Sequence, residues 1–369
     1  METYAHCGTR PWCRTLKKEV KKDMAQSFFG GIHPHDKKAA TNKKPIEALP
    51  PPAQVVIPMS LHIGAPCRPC VAVGEHVNMG QQIGEMTAYV SAPIHASISG
   101  KVVAVEPRPH FNGTNVLSVV IENDYQDTLD PSVKPVEHPE NLTAQELVEI
   151  VKNAGVVGLG GATFPTHVKI ASGLGKVDTV IVHAAECEPY NTSDHRILLE
   201  YPDQVIGGAK LLARIFGVDK VHVGIEANKL NAAQLLQQRI QEEQAPVVVD
   251  VLHTRYPQGA EKQLCQSITG RQVPPGALPA AIGCAVFNAV TTAAIYRAVY
   301  TGMPVTHRVV TVSGSGVNEP KNLECPIGAP IHELLDACGG VKKSTFKILM
   351  GGPMMGHAQY DMDAPIGKG

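Results

Sequence analysis

The clearest capacity for chemistry lies in one run, Gly158-Leu159-Gly160-Gly161-Ala162-Thr163-Phe164-Pro165-Thr166-His167-Val168-Lys169. Glycines let a backbone turn tightly and come close to a ligand. Pro165 suits a helix start, and the free N–H groups and dipole of such a start attract an anion. Lys169 falls about one turn beyond it. The run reads as a phosphate-cradling loop. It is not a P-loop, because no Gly-Lys-Ser/Thr follows, and Phe164-Pro165 stands where the dinucleotide fingerprint has its third glycine. A glycine-rich turn packed for compactness accounts for the composition equally well.

Two carboxylates, Glu186 and Glu188, follow in Glu-Cys-Glu-Pro-Tyr, and Glu261 sits in Tyr256-Pro257-Gln258-Gly259-Ala260-Glu261. Paired acids suit general acid–base work or metal ligation. The plainer alternative is that they cap the next helix, near Asp194 and His195. No cluster has zinc-ligand spacing, and no Gly-x-Ser-x-Gly appears. Cys67-Arg68-Pro69-Cys70 stands without a second pair, so it reads as structural. The nine cysteines are odd in number and scattered, and no secretory signal precedes them, which favours a reducing compartment.

The elements that must position these residues are legible from periodicity. Thr143-Ala144-Gln145-Glu146 is a capping-box pattern, and Leu147, Ile150, Val151 and Ala154 then share one helical face. From there strands at Val177–Ala185, Lys220–Ile225 and Val247–Leu252 alternate with helices at Asp203–Phe216, Lys229–Glu243 and Gly259–Thr269. Alternation of this kind implies crossovers and a largely parallel sheet. Ligands bind such sheets at the strand carboxyl ends, where Glu186–Tyr190, Glu226–Lys229 and Tyr256–Lys262 fall.

The fold class is α/β with three units. Residues 28–123 form a barrel-sandwich β domain behind a proline-punctuated lead-in, 124–141 a linker, 142–304 a Rossmann-like domain, and 305–350 a β-grasp-like module. Residues 1–27 are expected to be disordered or an upstream extension, and 351–369 to begin a link to a domain the sequence lacks. Val273–Tyr296 is uncharged but broken by Pro274, Pro275 and Pro279. That is poor solvation for a lipid-facing helix, so a buried helix at Cys284–Val299 in a soluble chain is expected. With 33 basic and 34 acidic side chains, the charge balance gives no reason to expect nucleic acid.

Val-Gly-Glu-x-Val-x-x-Gly-Gln-x-Ile (73–83) and Ala-Pro-x-x-Ala-x-x-Ser-Gly-x-Val (92–102) resemble biotinyl and lipoyl carrier domains. No lysine lies between Ile83 and Ala92 to bear a prosthetic group, so a docking or structural module is expected. The glycine run, the Glu-x-Glu-Pro and the Tyr-x-x-Gly-x-Glu resemble the flavin subunit of respiratory complex I. Phe29-Gly30-Gly31-Ile32-His33-Pro34, His62-Ile63-Gly64-Ala65-Pro66, the barrel and Gly351-Gly352-Pro353-Met354-Met355-Gly356 narrow the likeness to the RnfC family of Rnf ion-translocating electron-transport complexes.

That resemblance implies FMN in the glycine loop and NAD(H) above it. Gly158, Gly160, Gly161 and Lys169 would hold the phosphate region, and Phe164 would stack near the nicotinamide or adenine ring. Glu186, Glu188, Tyr256, Gly259, Glu261 and Asn288 would line the flavin and dinucleotide. His183 and Ala185 replace an Asn and an Asp of the complex I pattern. The family also carries two 4Fe–4S clusters in a C-terminal ferredoxin-like domain whose Cys-x-x-Cys-x-x-Cys runs are absent here. The implied partners are the other Rnf subunits and ferredoxin or a cluster-bearing subunit, with peripheral attachment at the cytoplasmic face of the bacterial inner membrane. A flavin-dependent cobalamin reductase and a non-catalytic scaffold are the alternatives.

Overall fold

The structure is a computed structural model that describes residues 27–369. The expectation for residues 1–27 therefore falls, but for its last residue, outside the described residues. The lead-in carries one short strand, β1 (Ile46–Ala48). The barrel follows as β2 (Gln54–Pro58), β3 (Arg68–Pro69), β4 (His76–Val77), β5 (Gln82–Glu85), β6 (Ile94–His95), β7 (Gly100–Pro109) and β8 (Asn115–Asn123). They form two antiparallel sheets, β2-β8-β7-β4 and β3-β5-β6. Alternation turns Val55, Ile57, Val119 and Ile121 inward, all fully buried. Cys67 is buried, Cys70 is exposed, and neither is in a disulfide.

The central domain opens with α1 (Ala144–Asn153), whose capping box is present: Thr143 N donates to Glu146 Oε2 at 2.7 Å and Glu146 N to Thr143 Oγ1 at 3.3 Å. Leu147 and Val151 face the core, each contributing about 2 kcal/mol by burial. Then come α2 (Thr166–Gly173), β9 (Thr179–Ala184), α3 (Ser193–Glu200), α4 (Pro202–Phe216), β10 (Val221–Glu226), α5 (Leu230–Glu243), β11 (Val247–Leu252) and α6 (Glu261–Thr269). The expected buried helix at Cys284–Val299 is instead a strand, β12 (Cys284–Asn288), followed by α7 (Ala289–Tyr300). A short apolar run buried on both faces has no periodicity to tell strand from helix, and here pairing with β9 decides it. The sheet order is β11-β10-β9-β12, all parallel.

The third unit holds β13 (His307–Val312), β14 (Lys321–Pro326), α8 (Ile331–Ala337), β15 (Ile348–Met350) and β16 (His357–Gln359). Its sheet is completed from afar, because β1 of the lead-in pairs in parallel with β14. The tail packs back onto this module: Ala364 and Ile366 are buried in its core with Leu49 of the lead-in, and Lys368 is buried as well. One continuous apolar core runs through both barrel and central domain, from Val55 and Ile57 to Val180 and Val223. The barrel is therefore packed against the α/β domain rather than tethered to it.

Candidate functional site

β12 lies on one side of β9 while β10 and β11 lie on the other, so the winding reverses between β9 and β12. In open parallel sheets the crevice outside the carboxyl ends at such a reversal is where ligands bind. Asn288 ends β12 on one side of that crevice, and Glu186 follows β9 on the other.

The glycine loop lies over Asn288. A Cβ at Gly160 would stand 2.9 Å from Asn288 Nδ2 and 3.0 Å from its Cγ, so any larger residue must displace the amide. Gly161 has φ +110° with nothing within 4 Å of a Cβ there, and residues 160–162 are exposed. The loop closes at its base, where Gly158 N donates to Phe164 O and Thr163 N to Gly158 O, both at 2.9 Å. Leu159 N pins it to Thr291 Oγ1 at 2.8 Å. Pro165 takes the N-cap position of α2, one place earlier than the sequence suggests, and Phe164 is half-buried beside it.

Asn288 joins this loop to the acids. Its Oδ1 accepts from Val290 N at 2.8 Å and Thr291 N at 3.4 Å, capping α7, while its Nδ2 donates to Asp194 Oδ2 at 2.7 Å. Asp194 N donates in turn to Glu186 Oε1 at 2.8 Å. The helix-capping alternative for Glu186 thus holds, at the first turn of α3. Glu186 is only 4% exposed. Burial pushes its carboxyl up, opposed by Lys38 and Lys229. Burial does the same to Asp194, opposed first by the Asn288 amide.

The remaining expected residues have partners of their own. Lys169 pairs with Glu261, and its ammonium lies 5.6 Å from the Phe287 ring centroid. Gly259 N donates to Cys187 Sγ at 3.3 Å. A Cβ on Gly259 would also run into His183 Nε2, so this glycine serves the close approach of the α6 turn to β9. His183 Nδ1 is buried without a hydrogen-bond partner, and burial lowers the ring's pKa, so the ring is neutral at pH 7. Glu188 Oε1 accepts from Met354 N at 2.6 Å, which seats the Gly351–Gly356 turn over the β9 loop. Tyr256 exchanges backbone hydrogen bonds with Ile32 at 2.8 and 2.9 Å.

Sequence reasoning did not single out Lys38, Asp194 as a partner of Asn288, or the lead-in as a wall. His33, His35, Asp36 and Lys38 of that lead-in line a cavity of about 330 Å³ together with Cys187 and Tyr256. That volume is in the range of small-molecule sites. Glu226 lines it as well and pairs at 3.1 Å with Lys229, each of them 1% exposed. No signal in the chain marks Lys38 beyond its place in Asp36-Lys37-Lys38.

The exposed turn at residues 160–162 lets a cofactor's phosphate come close to backbone, with Lys169 on the helix that follows. The first turn of α2 is buried, and Thr166 N already donates to Val156 O at 3.1 Å. Among the described residues no group of three or more His, Cys, Asp or Glu side chains is placed to hold a metal ion.

Comparison with known proteins gives the same three units. Residues 26–126 match the RnfC barrel-sandwich hybrid domain, 151–297 the Nuo51 FMN-binding domain and 309–358 the SLBB domain. The chain is 48% identical over 93% of its length to the C subunit of the Na+-translocating ferredoxin:NAD+ oxidoreductase complex of Acetobacterium woodii, covering 77% of that protein. It is 45% identical over 94% of its length to the corresponding subunit of the proton-translocating complex of Clostridium ljungdahlii, covering 76%. The equivalent component of the ion-translocating oxidoreductase complex of Vibrio cholerae is 37% identical over 96% of this chain, which spans 46% of that protein. Among solved structures, an NAD+-reducing nickel–iron hydrogenase in its H2-reduced state shares the fold at TM-score 0.53 and 23% identity, over 62% of this chain and 45% of that one. The domain set and these identities together place the chain in the RnfC family of the ion-translocating ferredoxin:NAD+ oxidoreductase (Rnf) complexes.

Proposed function

We propose that the crevice between the glycine loop and the ends of β9 and β12 holds FMN, in a peripheral subunit that handles electrons between NAD(H) and ferredoxin. The observation that carries this reading is the chain of contacts Gly160–Asn288–Asp194–Glu186 at the reversal point of the sheet, beside the exposed turn 160–162. FMN, when bound, supplies hydride exchange with NAD(H) and single-electron transfer onward. The protein supplies orientation and electrostatics.

In this reading Gly160 and Gly161 take the phosphate, with Lys169 as its cation and Gly158 fixing the loop. Asn288, Glu186, Glu188, Tyr256, Gly259 and Glu261 line the flavin and dinucleotide, and Phe164 offers a face for stacking. The 48%-identical relative is named a subunit of a ferredoxin:NAD+ oxidoreductase complex, which supports membership of a multi-subunit assembly. Contact with other Rnf subunits and with ferredoxin or a cluster-bearing subunit, at the cytoplasmic face of the inner membrane, belongs to the proposal. Two 4Fe–4S clusters in a ferredoxin-like domain outside this sequence would take the electrons. No helix among the described residues is long and apolar enough to cross a membrane, in keeping with peripheral attachment. The match of residues 26–126 to the RnfC barrel favours this reading over a cobalamin reductase.

Titration of the 369-residue chain with FMN, followed by flavin fluorescence, tests the reading. Saturable binding at micromolar FMN and bleaching of the bound flavin's visible absorbance by anaerobic NADH are expected. A folded chain that binds no FMN overturns the proposal. Gly160→Val should lose at least tenfold in affinity, because its side chain displaces Asn288.

A further inference from the structure

The lead-in segment, residues 28–38, is tied to both loops that carry the candidate site residues. Ile32 pairs through its backbone with Tyr256 at 2.8 and 2.9 Å. Arg255 donates to Gly30 O at 2.9 Å and stacks 4.2 Å from the Phe28 ring centroid. A Cβ on Gly31 would stand 2.9 Å from Tyr256 O, so the close approach there requires glycine. On the other loop, Tyr190 N donates to Asp36 O at 2.7 Å. The segment therefore spans from the end of β11 to the end of β9.

Lys38 ends this span, and it is only 5% exposed. Its ammonium donates to the backbone carbonyls of Glu186 and Glu188, both at 2.9 Å, and to that of Asn191. It also stands 3.4 Å from Glu186 Oε2. A lysine ammonium has three donors and no acceptor, and here three carbonyls and the Glu186 carboxylate share them. A loop that turns its carbonyls inward around one point needs a buried donor at that point, because a buried carbonyl left without one is destabilising. The Glu186–Asn191 loop is that loop. Its conformation fixes where Glu186 meets Asp194 and where Glu188 meets the Met354 turn.

We infer that Lys38 is the positioning residue of the flavin site: it shapes the Glu186–Asn191 loop from a distant part of the chain and so sets the geometry of the crevice wall. The inference rests on the FMN reading above. It assigns the N-terminal lead-in to the site rather than to the barrel, and it gives Lys38 no contact with cofactor or substrate.

A test must separate shaping of the loop from simple neutralisation of Glu186. Glu186→Gln removes the carboxylate and leaves Lys38 on its three carbonyls. Lys38→Met/Glu186→Gln removes the clip without leaving a buried acid unpaired. Both variants of the full chain are titrated with FMN, and the induced visible circular dichroism of bound flavin is recorded, since that signal reports the surroundings of the ring. The expected result is at least tenfold weaker FMN binding by the double variant than by Glu186→Gln, with a changed visible signal. Equal affinity and an identical signal in the two overturn the inference while leaving FMN binding by the unaltered chain intact. Failure of the unaltered chain to bind FMN overturns the flavin reading and this inference together. Should the double variant fail to fold, Lys38→Arg decides. A planar guanidinium keeps the charge but cannot place one ammonium among three carbonyls. Arginine at wild-type affinity and signal overturns the inference, and a tenfold loss supports it.

Discussion

Of the three lysines buried among the described residues, Lys38 and Lys368 each hold backbone carbonyls, in opposite electrostatic settings. Lys38, at the wall of the candidate site, donates to the carbonyls of Glu186, Glu188 and Asn191 and has the Glu186 carboxylate at 3.4 Å. Lys368, where the tail passes between barrel and central domain, donates to Pro93 O at 3.1 Å and Gly155 O at 2.7 Å. Among the described residues no carboxylate pairs with it. Burial pushes Lys368 down to about 8. Each lysine ties together segments far apart in sequence, but only the first carries its counter-charge with it. The difference teaches that a buried cation beside an acid is costly to remove, whereas one held by carbonyls alone is costly to keep.

The largest expected effect follows directly. Lys38→Met leaves the Glu186 carboxylate buried and unpaired, a loss of about 3–5 kcal/mol. Lys368→Met leaves two carbonyls without a donor but removes a cation whose depressed pKa, about 8 against the usual 10.5, marks roughly 3 kcal/mol of strain at pH 7. The two terms offset, so Lys368→Met should cost at most about 1–2 kcal/mol. The sign with pH also differs. A group whose folded pKa is lowered binds fewer protons folded than unfolded, so stability rises as pH climbs from about 8 to 10.5, and Lys368→Met abolishes that rise. Denaturant midpoints of the two variants at pH 7 and 9.5 decide it. Equal losses at pH 7 break the contrast.

Next in size is the acid side. His95 is buried near Lys368, and burial first, then the Lys368 charge, holds its ring down to about 3. Burial likewise lowers His307 to about 4. Their stabilising contribution is full above the unfolded value of about 6.5 and is lost as pH falls through the window below it. At pH 5 each should cost about 2 kcal/mol. Lys368→Met removes the second cause of the His95 shift, so that variant should lose less stability between pH 7 and pH 5 than the parent chain. A larger loss would show that the lysine does not act on His95.

How much of this was legible in the sequence follows the range of the interactions. β9, β10 and β11 and the helices α4 and α5 are written in local alternation and fall within a few residues of expectation. β12 is not, because Cys284–Phe287 is apolar on both faces and only its neighbour β9 makes it a strand. β1 pairs with a strand about three quarters of the chain away, Ile46 opposite Asn322, which no local pattern records. Gly160 and Asn288 were expected in one site and do meet. Gly259 packs on His183 and Cys187 instead of standing open, and Glu188 is engaged by the Met354 turn. Lys38 follows another lysine in a polar stretch and reads as solvated charge. Only the folded loop turns three carbonyls toward it.

Asn288 does with a neutral amide what the lysines do with charge. It caps α7 through Val290 N and Thr291 N and satisfies Asp194 Oδ2. Asn288→Ala removes a cap worth about 1 kcal/mol. It also leaves Asp194 without the hydrogen bond that opposes its upward shift. Asp194 can answer by protonating, because burial already raises it, and that limits the added loss to about 1 kcal/mol more. A total of about 2 kcal/mol, smaller at lower pH because burial raises Asp194, is therefore expected from chemical unfolding. Asn288→Asp should cost more than the alanine change at pH 7, since it sets two buried carboxylates against each other. If the aspartate variant were instead as stable as the parent, the amide's bond to Asp194 would carry no weight, and the contact chain from Gly160 to Glu186 would break at its middle.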